Sequence, residues 1–149
     1  MAEYPEKLKE MLADFDFVTT RSERTELLLD IAGRFETVPA RIATRPYAPE
    51  HRVPACESDA YVWSEPQPDG TLKFHFAVEN PQGLSAQAMA VILDETLSGA
   101  PLEQVAAVTP DIVLRIFGHE ISMGKGQGLM EMVRAIQHHA RRALAEKTS

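Results

Sequence analysis

The chain holds a single cysteine, Cys56, in the run His51-Arg52-Val53-Pro54-Ala55-Cys56-Glu57-Ser58-Asp59. One thiol cannot close an internal disulfide or anchor a multi-thiolate metal site, so any sulfur chemistry passes through that one atom. A thiol reacts as its thiolate, which nearby cations favour and anions oppose. Arg52 and His51 pull one way here, and Glu57 and Asp59 the other. The plainer alternative is a free cysteine that acts only as a small buried hydrophobe. A second segment, Ser122-Met123-Gly124-Lys125-Gly126-Gln127-Gly128, sets three glycines ahead of a helix. Backbone N–H groups at a helix start can hold an anion, with Lys125 adding charge, although the spacing matches neither a Walker nor a dinucleotide fingerprint. A tight turn that needs unusual φ accounts for the same glycines.

Other constellations fit less well. A cysteine hydrolase needs a histidine base held by Asn or Asp, and His51, His75, His119, His138 and His139 stand in no recognisable signature for one. A metal site made from Cys56, His51 and Asp59 matches no established ligand spacing, so no metal is expected. His75 alternates onto the polar side of a strand, and His138-His139, beside Arg141-Arg142, belongs to a solvated helix face.

The elements that must position these residues follow from periodicity. Leu8, Met11, Leu12 and Phe15 mark a short helix after Pro5. Thr20-Arg21-Ser22-Glu23 has capping-box spacing and opens a second helix with Leu27, Leu28 and Ile31, closing near Gly33-Arg34. From Phe35 to Pro54 periodicity vanishes while Pro39, Pro46, Pro49 and Pro54 recur, which predicts an extended, irregular segment leading to Cys56. Ser58–Glu65 and Thr71–Glu79, the latter alternating Leu72, Phe74, Phe76 and Val78, flank Pro68-Asp69-Gly70 as a β-hairpin.

Helices follow at Ser85–Leu97, at Pro101–Val108, and from the capping Thr109-Pro110-Asp111 to Phe117. A last long helix begins near Gln127 and carries Leu129, Val133, Ile136, Ala140 and Leu144. Strands adjacent in sequence and flanked by helices give an α+β class: a small antiparallel sheet of two to three strands, packed on one face by several helices and partly wet on the other.

Composition bounds the rest. The 149 residues are 44% hydrophobic and 25% charged with net charge −7, which suits one globular domain over 1–149. An acidic chain without a basic block excludes a phosphate-backbone binder, so no nucleic acid is expected. The sequence has no long apolar run and opens without a basic-then-apolar leader, which predicts no membrane association and a cytoplasmic protein.

Arg52-Val53-Pro54-Ala55-Cys56-Glu57-Ser58-Asp59-Ala60-Tyr61 and Gly124-Lys125-Gly126-Gln127-Gly128-Leu129 together resemble the two signature segments of the SufE family of sulfur-acceptor proteins. Those segments read roughly R-[IV]-P-G-C-Q-S-Q-V-W and S-R-x-[NQ]-G-L, and the helix ending Leu97-Ser98-Gly99 before Pro101-Leu102-Glu103 keeps the family order. The resemblance implies a single SufE-like domain of SufE/IscU-like architecture. It also implies that Cys56 takes a persulfide sulfur from a SufS-like cysteine desulfurase, stimulates that enzyme, and passes the sulfur to an iron–sulfur scaffold of the SufBCD kind.

Such a protein is a carrier and activator rather than a stand-alone enzyme, has no cofactor of its own because the pyridoxal phosphate resides in the desulfurase, and is a monomer or homodimer. Arg52, Glu57, Asp59, Lys125 and Gln127 are the implied supporting or partner-binding residues. The chain departs from the family pattern where Ala55 replaces Gly, where Glu57 and Asp59 replace Gln, where Tyr61 replaces Trp with Trp63 two residues on, and where Lys125 replaces Arg. The alternative of a different class is an adaptor in which Cys56 is structural and the loop only binds a partner.

Overall fold

Leu8, Leu12 and Phe15 become the buried stripe of α1 (Glu6–Asp16). Thr20 then opens α2 (Arg21–Ala32): its Oγ1 accepts the Glu23 N–H at 3.1 Å and donates to the Glu23 carboxylate at 3.0 Å. These are features of a computed structural model that describes residues 3–148.

The alternating residues form β1 (Ala60–Pro66) and β2 (Leu72–Val78), an antiparallel pair in register from Ala60↔Val78 to Pro66↔Leu72. Gly70, at φ 87, turns the chain between them, and Asp69 braces the turn by accepting the Thr71 N–H at 3.0 Å. Val62, Leu72, Phe74 and Phe76 point one way, into the main core.

That core is organised around α3 (Leu84–Leu97), buried along Ala86, Ala88, Met89, Ala90, Val91, Ile92, Leu93, Thr96 and Leu97. Its small alanines let neighbours approach from several sides, so α3 meets α1, α2, β2 and the last helix at once. The sequence shows only the larger stripe of Met89, Ile92, Leu93 and Leu97; the alanines complete the burial. After α4 (Leu102–Ala106), α5 (Ile112–Phe117) starts at Asp111 and not at Thr109. The Thr109 hydroxyl is occupied otherwise, sharing a 2.9 Å hydrogen bond with the Tyr4 hydroxyl and donating to the Asp111 carboxylate.

Three expectations need correction. The second face of the hairpin is wet only at Tyr61, Glu65 and Lys73, which stay part-exposed, while Trp63, His75 and Ala77 are covered. Segment 35–54 lies across it, pairing Val38 N–H with Phe76 O at 2.8 Å and closing a satellite cluster of Val38, Trp63 and Ala77 with Ile42, Ala43, Tyr47 and Tyr61. His75 is therefore buried under that cover, its Nε2 bonded at 2.9 Å to Glu65, which also grips Arg41.

The last helix, α6 (Met123–Thr148), begins four residues before Gln127, and Gly124, Gly126 and Gly128 lie inside it without positive φ. The glycines thus form neither a tight turn nor a loop ahead of the helix. His139, mid-helix, is half-buried and shares a 2.6 Å hydrogen bond with Ser64 on β1. Only His138 of that pair is exposed. Among the described residues no helix is long and apolar enough to cross a membrane.

Candidate functional site: a cysteine loop seated on a glycine-faced helix

The segment around Cys56 is a closed loop at the mouth of the hairpin. Val53 N–H donates to Ala60 O at 2.8 Å and Arg52 bridges to Tyr61, so the base of the loop continues the sheet edge. Asp59 N–H turns back to Cys56 O at 3.2 Å, while Glu79 and Asn80 donate to Asp59 O and Ser58 O, each at 3.1 Å. Closing so short a loop forces two residues into the left-handed region, Ala55 at φ 58 and Asp59 at φ 51. Aspartate tolerates that conformation better than most residues, whereas alanine carries the full Cβ clash of about 1–2 kcal/mol.

Within the loop Cys56 is 7% exposed and belongs to the main apolar cluster, while Pro54, Ala55 and Glu57 are open to solvent. The floor is α6. A Cβ on Gly128 would stand 3.0 Å from both Ala55 O and Cys56 Cα, and one on Gly124 would stand 3.1 Å from a Glu57 carboxylate oxygen. On the far side a Cβ on Gly83, the residue before α3, would come within 2.9 Å of Ser58. The loop therefore sits between the starts of α3 and α6, with Gly83, Gly124 and Gly128 at these three close approaches. The Glu57 carboxylate lies beside Gly124 in the first turn of α6, where the helix dipole favours negative charge.

The other expected residues divide. Arg52 and Asp59 are together, paired at 2.5 Å across the loop base; the Asp59 carboxylate holds the Arg52 guanidinium more firmly charged, and the two neutralise each other beside the thiol. Glu57 lies over α6 as described. Lys125 and Gln127 are exposed on the first turns of α6, and among the described residues no hydrogen bond or ion pair joins either side chain to the cysteine loop. Lys125 instead lines a groove between α2, α5 and α6 with Arg21, Arg24 and His119.

His51 serves the sheet edge: its Nδ1 donates to Val62 O at 3.0 Å and its ring stacks on Trp63 at 5.2 Å. No cysteine–histidine dyad and no grouping of three or more metal-ligand side chains is formed among the described residues. Sequence reasoning named Gly128 without its place under the cysteine loop, and missed Gly83. The signal for Gly128 was the spacing of Gly124 and Gly128, four apart and hence on one helix face.

The architecture is a small helix-packed hairpin with a nearly buried loop cysteine at one end. Residues 9–140 match the SufE family, the Fe-S metabolism associated domain, and the chain belongs to that family. The solution structure of a hypothetical protein from Thermus thermophilus has the same fold, with a TM-score of 0.72 at 25% identity over 95% of this chain and 98% of that one. No curated protein matches the sequence.

Proposed function

We propose that the chain is a sulfur relay for iron–sulfur cluster assembly, with Cys56 as the carrier thiol. The Cys56 thiolate attacks the outer sulfur of a persulfide on a partner cysteine desulfurase. A new S–S bond forms from the Cys56 electron pair as the bond to the desulfurase cysteine breaks. The pair of the broken bond leaves with that cysteine, which departs as a thiolate and takes up a proton. One S–S bond is exchanged for another, so the step needs no external oxidant or reductant. An acceptor thiolate on a scaffold then attacks that outer sulfur, the bond to Cys56 breaks and its electron pair returns Cys56 to a thiolate, while the desulfurase turns over again and the pyridoxal phosphate remains in the partner.

The observation that carries this reading is the seat of Cys56. The chain's one thiol is nearly buried, yet it lies on a short loop with exposed Pro54, Ala55 and Glu57, on a surface that also presents exposed Leu84 and Met123 at the two helix starts. Burial protects a thiol or persulfide from stray oxidation. Docking of a partner on the apolar rim supplies the free energy to turn the side chain out. The same burial supports an adaptor, in which Cys56 only fills the core under a partner-binding loop.

Intact mass after incubation with an active cysteine desulfurase and free cysteine separates the two. Wild type gains sulfur that a reductant removes and Cys56→Ser gains none if the relay is right. No gain on wild type, with Cys56→Ser still binding the desulfurase equally well, replaces the relay with the adaptor.

A further inference from the structure

We propose that Gly128 is a positioning residue whose missing side chain sets how deeply Cys56 is seated, and so how accessible the thiol is before any partner binds. The inference rests on the relay reading above but concerns the free protein alone. A methyl group on Gly128 would lie 3.0 Å from Ala55 O and Cys56 Cα, atoms of the backbone that cannot rotate aside as a side-chain tip would. Carbon contacts prefer about 3.5–4 Å, so one of the two elements must move.

The helix cannot be the one that yields. Leu129, Met132, Val133, Ile136 and Ala140 anchor α6 in the main core, each at 2% exposure or less. The loop is peripheral, exposed at Pro54, Ala55 and Glu57, and already strained at Ala55. A wedge at 128 therefore resolves by lifting residues 55–56, which moves Cys56 toward solvent.

The three glycines of the α6 start provide the controls. A Cβ on Gly126 would meet only Ile121 Cγ2 at an ordinary 3.4 Å, and one on Gly124 would meet the movable end of Glu57. All three alanine variants gain helix propensity, and only one of them disturbs the backbone under the thiol.

The test is the rate of iodoacetamide labelling of Cys56 in the folded protein without desulfurase, read by intact mass beside a thermal unfolding curve. Gly128→Ala is expected to label about tenfold faster or more through local opening of the loop, with Gly124→Ala within about twofold of wild type and Gly126→Ala unchanged. The double variant Gly126→Ala/Gly128→Ala carries extra helix stability against any loss from the wedge, and should label as fast as Gly128→Ala. Labelling of both Gly128 variants at the wild-type rate overturns the proposal. So does acceleration that merely follows a lowered unfolding temperature across all the variants. Failure of the desulfurase to place sulfur on wild type would overturn the relay and leave this result standing.

Discussion

Beside Cys56, Ala55 sits at φ 58. Alanine in a left-handed conformation is strained by its Cβ, and the family pattern has glycine there, which takes φ 58 without clash. Ala55→Gly should therefore raise stability by roughly 1 kcal/mol, after allowing for the greater freedom of glycine in the unfolded chain, and shift the thermal midpoint up by about 2–4 °C. A midpoint that falls instead would mean that the loop relaxes at no cost around Ala55. The substitution itself could be seen in the sequence, whereas the φ that gives it meaning could not. Cys56 was equally plain as a residue type. Its burial was one of the two readings its type allowed, and the structure bears that reading out at 7% exposure; what the sequence left open was the balance of the neighbouring charges, since only folding pairs Arg52 with Asp59.

Among the elements, most of the regular ones and the irregular run of 35–54 were legible, and the role of that run was not. The alternation in β2 and the three- and four-residue spacing in α1 follow directly from one buried face each. Segment 35–54 has no period, because its apolar residues Val38, Ile42 and Tyr47 reach the sheet through prolines and bends. Its job as the cover of the second sheet face was therefore invisible, and with it the burial of His75. Trp63 tests that cover. It is 6% exposed, packed with Val38 and Ala77, met edge-on by Tyr47 at 5.1 Å and stacked against His51 at 5.2 Å.

Trp63→Ala should cost about 3–5 kcal/mol in chemical denaturation, the value for emptying a closed aromatic site. A loss below about 1 kcal/mol would return the face to solvent. The start of α6 was misplaced for a related reason. Three glycines look like a break in a helix, and they form instead the face on which another segment rests.

At the scale of the whole molecule, α6 runs from the cysteine loop at one end along β1, and His139 fixes that second contact. Its ring is bonded to Ser64 and shares its surroundings with the positive or protonatable groups His138, His51 and Arg142. Burial first, and then those neighbours, push the His139 pKa down to about 4. An unfolded histidine titrates near 6.5, so the folded protein binds that proton less readily than the unfolded chain does. Stability from this group is therefore complete above about pH 6.5 and drains away as the pH falls toward 4.

The full displacement corresponds to about 3 kcal/mol, and the partly wet ring reduces the expected loss to about 2 kcal/mol. Glu65 titrates in a separate window, since Arg41 and then His75 hold its carboxyl down to about 2 and its contribution fades only under more acid conditions. His139→Asn keeps a polar partner for Ser64 and removes the titration. Its denaturation free energy should stay nearly level between about pH 6.5 and 4.5 while that of wild type declines. Parallel profiles for the two proteins would show that protonated His139 is accommodated in place, and that the contact between α6 and β1 does not depend on the neutral ring.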